Sequence, residues 1–302
     1  MTGEIPDQGQ LDLFLHSRTV VLVNDVIGAI LARDADDAGL CLHMLRAEEP
    51  GHHLYDSLER LSRCIADWPL PAASPAEVDA AVRQLEGYVL PAAIAALGDK
   101  AVNFMLPLWR DLAQSAGARV YDAAFPQAYR AALHLKGGDS EATAGAIQAI
   151  PNFRDNPDAI HWLAVALHRM HGLESSRIWL FRLALLRPER FSHALSDIAD
   201  PSMSRDWLEF LAAFHWLNPE GGNEGAWFPS WYLVEHPGVR TDLPGWTEPV
   251  TRSLEVLNAI ARVIDLERQG YSAALISARI RLRDLDSQVF DFYMARRRDG
   301  HR

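Results

Sequence analysis

The chain contains little lysine and little cysteine. Lys100 and Lys136 are the only lysines among 302 residues, so arginine carries almost all of the positive charge. The two cysteines, Cys41 and Cys64, fall at apolar positions of predicted helices, which favours buried free thiols over a disulfide. The spacing of cysteine and histidine does not match a zinc site. We therefore expect neither a bound metal nor a cofactor.

Long apolar runs are missing as well, and so is the pattern of a signal peptide. Residues 1–10 are polar and lack the basic start and apolar run that a signal peptide has. Charged residues interrupt the other apolar stretches well before the roughly 18 residues that a membrane span requires. The formal net charge of -11 disfavours binding to nucleic acid or to an anionic membrane. We predict a disordered N-terminus over residues 1–10, a cytoplasmic location, and no nucleic-acid or membrane partner.

Catalytic motifs are also absent. The chain has no GxSxG sequence, no Walker loop and no glycine-rich dinucleotide motif. Asp34, Asp36 and Asp37 lie at a predicted turn, where aspartate typically caps the next helix rather than binding a metal. Glu49 and His52 are separated by a proline-glycine pair, so they cannot form a metal-binding pair on one helix. No catalytic residue is predicted, and we favour a protein that is not an enzyme.

Apolar residues at helical spacing are present along almost the whole chain. Alternation typical of strands is scarce, so the sequence predicts an all-α protein. Three helices begin with a capping residue followed by proline, at Ser74, Asn156 and Asp200. The predicted organisation is a helical-hairpin region, an aromatic loop, a C-terminal hairpin packed on the same domain, and a short tail. These parts cover residues 11–217, 218–247, 248–298 and 299–302 respectively.

The segment from Asn218 to Trp246 interrupts the helical pattern. It contains many glycines and prolines, which disfavour a helix longer than one or two turns there. Its aromatic residues are too apolar for a disordered linker, so we expect an ordered loop. These rings either line a groove for a peptide or a sugar, or close the hydrophobic core. The candidate binding residues are Trp216, just before the loop, and Trp227, Trp231, Tyr232 and Trp246 within it.

His161 and His168 are the two other candidate binding residues. On the helix predicted over Ala159 to Met170, they project within about 20° of each other but stand two turns apart. His168 and His171 have a spacing that suits a metal pair, yet no carboxylate follows in ligand register. Histidines packed at the edge of the core are therefore the favoured interpretation.

Arginine is concentrated near the C-terminus. Arg279, Arg281 and Arg283 recur at every second position, and residues 296–298 are all arginine. In a chain that is acidic overall, this basic end is suited to an acidic partner. The simpler interpretation is that arginine is common at helix C-termini, where it offsets the helix dipole.

One spacing occurs twice in the chain. Each copy reads as a helix, a short polar turn, a second helix and then a proline, and the two copies keep a constant offset without insertion. The residues in the same register are Leu22, Ala29, Ala38, Leu42, Leu45 and Pro50 in the first copy, and Ile160, Leu167, Ser176, Leu180, Leu183 and Pro188 in the second. The small residues Ala38 and Ser176 allow the second helix of each copy to cross the first closely.

This pattern resembles a degenerate tetratricopeptide repeat, which is a helical hairpin of about 34 residues that ends in proline. The run Gly270-Tyr271-Ser272-Ala273-Ala274 resembles the turn and the second-helix start of such a repeat. The resemblance implies stacked antiparallel hairpins, arranged either as an α-solenoid or as an irregular helical bundle, with one long aromatic loop.

Stacked hairpins usually build a binding surface, which suits a chain without an evident catalytic group. The leading hypothesis is a non-catalytic scaffold protein that presents a concave helical face to a protein or peptide. The alternative is an all-α enzyme or small-ligand binder whose pocket is closed by the loop over residues 218–247. Its acid–base groups would be His161, His168, His215 or Glu235. Self-association through the last hairpin, giving a homo-oligomer, is a third possibility.

Overall fold

The structure, a computed structural model, describes residues 8–68, 74–217, 223–239 and 251–299. Within these ranges all regular secondary structure is helical, which confirms the predicted all-α fold. The chain divides into two compact units, Met1–Ala142 and Thr143–Arg302. Each unit has a buried apolar core of its own.

The first unit consists of helices joined mostly by tight turns. They are α1 (Gln8–Ala32), α2 (Ala35–Glu48), α3 (Tyr55–Asp67), α4 (Pro75–Gln84), α5 (Leu90–Leu97), α6 (Ala101–Ala116), α7 (Arg130–Lys136) and the beginning of α8 (Ser140–Ile147). The boundary between the two units falls inside α8, after Ala142. α1 packs against α2, α2 against α3, and α3 against α5, which in turn contacts α6. A π-helical segment, Leu85–Val89, joins α4 directly to α5.

Two helix starts in the first unit are fixed by local hydrogen bonds. The Ser74 hydroxyl accepts a hydrogen bond from the Glu77 amide, and the Glu77 carboxylate accepts one from the Ser74 amide. This is the capping box that the sequence predicts at α4. The Asp34 side chain accepts a hydrogen bond from the amide of Asp37 and caps α2. Asp34 therefore has the capping role that its position at a turn indicated.

One stretch of the first unit is apolar enough to cross a membrane by length and composition. This stretch, Pro75–Ala116, is 42 residues long. Its most apolar window of 18 residues has a mean hydropathy of 1.4, and 44% of that window is buried inside the structure. The core helix of a soluble protein passes the same test. The expectation that the chain has no membrane span therefore stays a prediction.

The second unit is arranged around one central helix. Its helices are α9 (Pro157–His171), α10 (Leu173–Leu186), α11 (Pro188–Ile198), α12 (Pro201–Leu217), α13 (Glu224–Glu235), α14 (Arg252–Gln269), α15 (Ala273–Leu285) and α16 (Ser287–Asp299). α13 contacts α10, α11, α12, α14 and α16. The last three helices also follow one another in space, because α15 packs against both α14 and α16.

The loop predicted over residues 218–247 is wrong in its central part, because Glu224–Glu235 forms α13. The glycines and prolines indicated irregular structure, yet nine of the twelve residues of α13 are buried. Gly225 allows this burial, because a Cβ atom there would lie 2.5 Å from the carbonyl oxygen of Pro188 at the start of α11. Burial of the apolar side chains outweighs the low helix propensity of Gly225 and Pro229.

Two other predicted boundaries need correction. The disorder expected over residues 1–10 does not extend to Gln8, where α1 begins. The C-terminal hairpin expected over residues 248–298 contains three helices rather than two, because the chain breaks at Asp286 between α15 and α16. The Asp286 side chain accepts a hydrogen bond from the Val289 amide and so caps a new helix. Residues 1–7, 69–73, 218–222, 240–250 and 300–302 lie outside the described residues.

Both copies of the repeated spacing form helical hairpins, α1 with α2 and α9 with α10. The second helix of each hairpin is 14 residues long. The matching positions are buried in both copies, namely Ala38, Leu42 and Leu45 in α2 and Ser176, Leu180 and Leu183 in α10. The spacing therefore located two hairpins and the contact faces of their second helices.

Candidate functional site

The central aromatic residues of α13 lie in the core of the second unit. Trp231 and Tyr232 are 4% and 5% exposed, and Phe228 beside them is fully buried. The three rings pack against those of Phe181, Phe191, Trp207 and Phe210, with centroid separations between 5.1 and 6.3 Å. The sequence left two roles open for these aromatic residues, lining a groove or closing the core. Trp231 and Tyr232 close the core.

The other candidate aromatics are placed differently. Trp227 is half-buried and packs against the core cluster that contains Leu233 and Val234. The side chain of Trp216 and the whole of Trp246 lie outside the described residues. A groove that includes these two rings therefore stays a prediction.

A cluster of polar groups meets the aromatic core at the hydroxyl of Tyr232. The Arg177 guanidinium lies 6.0 Å from the centroid of the Tyr232 ring and forms a hydrogen bond with the hydroxyl. The rings of Tyr232 and His236 are 4.3 Å apart, centroid to centroid. Burial raises the pKa of Tyr232, opposed in part by Arg177. The carboxylates of Asp200 and Asp206 raise that pKa further, so the hydroxyl stays protonated.

His168 pairs with the residue that caps α12. Its Nε2 lies 3.3 Å from Asp200 Oδ2. Asp200 Oδ1 accepts hydrogen bonds from the amides of Ser202 and Met203 and from the Ser202 hydroxyl. Burial alone would raise the pKa of Asp200, but the hydrogen bonds from Ser202, Met203 and His168 lower it to about 2. Asp200 is therefore ionised, and it ties the start of α12 to α9.

His161 and His168 do not converge on one site, although both belong to α9. His161 Nε2 lies 2.8 Å from Asp197 Oδ2 on α11. His236 and Asp206 form a further pair, with Nε2 3.2 Å from Oδ2. Each of these three histidines therefore contacts a different carboxylate, and the pairs link neighbouring helices.

The groups around Asp200 are not arranged for nucleophilic catalysis. In a catalytic triad the imidazole lies between the hydroxyl and the carboxylate and removes the hydroxyl proton. Here the Ser202 hydroxyl donates to Asp200, and His168 lies on the other oxygen of the same carboxylate. Within the ranges that the structure describes, no group of three or more His, Cys, Asp or Glu could hold a metal ion. The cluster is suited to joining helices.

A large cavity of the second unit lies among α14, α15, α16 and the residues just after α13. Its volume is about 750 Å³. Ile264, Leu275 and Met294 form apolar parts of its wall. The charged residues that line it are Arg268, Arg279, Arg297, Arg298 and Glu267. The cavity is therefore strongly basic, although the chain as a whole is acidic.

Glu267 positions two of these arginines. Its Oε1 accepts hydrogen bonds from Arg279 Nη2, at 2.6 Å, and from the Tyr293 hydroxyl. Its Oε2 lies 2.7 Å from Arg297 Nη2. The two guanidiniums lie 5.9 and 5.5 Å from the centroid of the Tyr293 ring. Tyr293 is fully buried, and burial together with the hydrogen bond to Glu267 raises its pKa.

The first unit contains a cavity of about 540 Å³ beside α3 and the π-helical segment. Its wall includes the aromatic rings of Trp68 and Tyr88 and the thiol of Cys64. Burial raises the pKa of Cys64 to about 11. The thiol is therefore protonated at neutral pH, which makes it a poor nucleophile.

No known family model matches the chain, and curated proteins and solved structures give no significant match. The resemblance to a tetratricopeptide repeat therefore rests on the sequence pattern alone. Function has to follow from the sites themselves, because a fold by itself does not determine it.

The basic cavity contains residues that the sequence indicated and others that it did not. Arg279, Arg297 and Arg298 belong to the arginine-rich C-terminal end that the composition singles out. Glu267 lies on a different helix and has no distinctive spacing from them. The site forms where three helices meet, and no spacing along the chain predicts such a meeting point. The high density of arginine near the C-terminus was the signal in the sequence that pointed to this region.

Proposed function

We propose that the protein is a non-catalytic helical interaction protein that binds an acidic, amphipathic segment of a partner protein on α15. The observation that carries the proposal is a pair of isoleucines on this helix. Ile276 and Ile280 are 42% and 47% exposed. Because they are four residues apart, they lie one turn from each other on the same side of α15.

Charged side chains with an excess of arginine surround this apolar pair. At about 100° per residue, Arg283 projects about 20° from Ile276 on one side of the pair. On the other side, the exposed Asp284 projects about 40° from Ile280 and Arg281 about 100° from it, and both arginines are exposed. The opposite side of α15 carries Leu275 and Leu282, which are buried in the core of the second unit. An apolar pair with two arginines and one aspartate around it has a net positive border, which is complementary to a segment with apolar and acidic side chains.

The charge of the whole chain favours this face over the rest of the surface. With a net charge of -11, the protein as a whole repels an acidic segment, and the arginines of α15 are a local exception. As part of this proposal, the protein is cytoplasmic and binds neither nucleic acid nor membranes. The proposal also includes the tetratricopeptide-like use of a helical face for recognition.

A random peptide library displayed on phage tests the proposal. The library is first depleted on the double variant Ile276→Ser, Ile280→Ser and then selected on the purified full chain. We expect enriched peptides that combine large apolar residues with aspartate or glutamate. Their affinity for the double variant should be at least about tenfold lower, because burial of two isoleucines contributes well over 1.4 kcal/mol.

The variant Ile94→Ser is the matched control, because Ile94 is 59% exposed on α5 in the first unit. It should leave peptide affinity unchanged. Enrichment of peptides without acidic residues contradicts the proposal, and so do equal affinities for the wild type and the double variant. Peptides that match the sequence of this chain would identify the partner as a second copy.

A further inference from the structure

A different side of α15 faces the basic cavity. We propose that the cavity among α14, α15 and α16 binds a small molecule that carries phosphate groups. Leu275 and Arg279 line it, whereas Ile276, Ile280, Arg281 and Arg283 do not. The cavity is therefore a separate site from the peptide-binding face, and neither proposal depends on the other.

Positive charge exceeds negative charge on the wall of the cavity. Four guanidiniums and one carboxylate line it, in a chain whose net charge is -11. Glu267 is shared between Arg279 and Arg297, so it neutralises only part of their charge. Arg268 pairs with Asp265 at 3.1 Å, so the unbalanced positive charge belongs to Arg279, Arg297 and Arg298. Like charges at short range repel one another, and a polyanion removes that repulsion.

Hydrogen-bond donors remain for a ligand at these arginines. Arg298 Nε donates to the Met294 carbonyl oxygen at 3.4 Å, and within the described ranges its guanidinium has no carboxylate in ion-pair distance. Arg279 uses Nη2 for Glu267, while its Nε is buried and has no acceptor among the described residues. A guanidinium has several N–H groups in a fixed plane, so one contact does not exhaust it.

The chemistry of the wall selects phosphate on a small organic molecule. Guanidinium matches phosphate oxygens with two parallel hydrogen bonds, and several converging arginines match a group with many oxygens. The volume of about 750 Å³ falls within the range typical of small-ligand sites, roughly 300–1,000 Å³. Ile264, Leu275 and the ring of Tyr271 offer apolar contact for the rest of the molecule.

Isothermal titration calorimetry on the full chain tests this site with inorganic phosphate, pyrophosphate, ATP without magnesium, and citrate. We expect pyrophosphate and ATP to bind and citrate to bind at least about tenfold more weakly, because a carboxylate has two oxygens, whereas a terminal phosphate has three that several arginines contact together. The variant Arg298→Gln should lower the affinity for ATP about tenfold, because it loses one charge-assisted contact. Its single backbone contact means that the Glu267 network stays intact.

The matched control is Arg296→Gln, on the same helix. Arg296 Nε donates to Glu235 at 2.7 Å, and the residue does not line the cavity. It should leave ATP affinity unchanged, and thermal unfolding verifies that both variants are folded.

The absence of heat with both pyrophosphate and ATP at millimolar concentration overturns the proposal. Equal affinities for citrate and pyrophosphate, or equal weakening by Arg296→Gln and Arg298→Gln, overturn it as well. Equal binding of pyrophosphate and ATP supports it and assigns recognition to the phosphates. Tighter binding of ATP supports it and assigns a further contribution to the apolar wall.

Discussion

At the scale of single residues, Asp200 combines two structural roles. One carboxylate oxygen accepts the hydrogen bonds that begin α12, and the other faces His168 on α9. The contacts of the folded state favour the ionised form of the Asp200 carboxyl group. The ionisation of Asp200 is therefore linked to the free energy of unfolding. Sequence reasoning placed the cap from the aspartate-proline pair. The contact with His168 depends on how two helices pack, which spacing along one helix does not encode.

We predict that Asp200→Ala lowers the free energy of unfolding by about 1–2 kcal/mol at neutral pH, because α12 loses its cap. The folded-state pKa of about 2 lies below the ordinary value of 3.8. The contribution of the ionised carboxylate is therefore fully present above the ordinary value and is lost as the pH falls through the folded one. Urea unfolding at a series of pH values should show the wild type and Asp200→Ala converging across that acidic window.

Asp200→Asn is the control for this prediction. Asparagine caps a helix about as well as aspartate but does not titrate. The difference in stability between Asp200→Asn and Asp200→Ala should therefore be independent of pH. If the difference between the wild type and Asp200→Ala were also constant, the charge of Asp200 would not be the source of the acid sensitivity.

At the scale of elements, α13 is held by its surroundings rather than by its own sequence. Glycine near its start and Pro229 in its interior disfavour an isolated helix. Gly225 nevertheless permits the close approach to Pro188, and the aromatic side chains fill the space between the neighbouring helices. Helices with strong local signals, such as the capping box at Ser74, were predictable from the sequence. α13 was not, because its stability depends on contacts with five other helices.

We predict that Gly225→Ala lowers the free energy of unfolding by about 1–3 kcal/mol or more, because its Cβ would overlap the backbone of α11. Gly39 on α2 is the matched control, because it is exposed and a Cβ there meets nothing within 4 Å. Gly39→Ala should raise stability by up to about 1 kcal/mol. Thermal and urea unfolding of both variants check these signs, and a neutral Gly225→Ala would refute the close contact.

At the scale of the whole molecule, the chain contains two units with separate apolar cores. The basic cavity and the proposed peptide face both belong to the second unit, as do both histidines that the sequence selected. The excess of arginine in this part of the chain is visible in the sequence. It did not predict a cavity, because the walls come from helices separated by loops whose packing no local pattern specifies.

We predict that core truncations act within the unit that contains them. Phe228→Ala in the second unit should cost about 3–5 kcal/mol, and Leu108→Ala in the first about 2–5 kcal/mol. Hydrogen exchange followed by mass spectrometry should show faster exchange mainly in peptides from the unit that carries the substitution. Acceleration spread evenly over the chain in both variants would indicate one cooperative structure instead.

The ring contacts around Phe228 also make the second unit visible to spectroscopy. Trp207 and Trp231 are held edge to face or stacked against phenylalanines, so their indole transitions are fixed in a chiral environment. Loss of side-chain packing abolishes near-ultraviolet circular dichroism while far-ultraviolet signal from helices persists. These tryptophans therefore contribute to the near-ultraviolet band an intrinsic optical readout of tertiary order, beside the contribution of buried aromatics such as Trp109 in the first unit, without any added label.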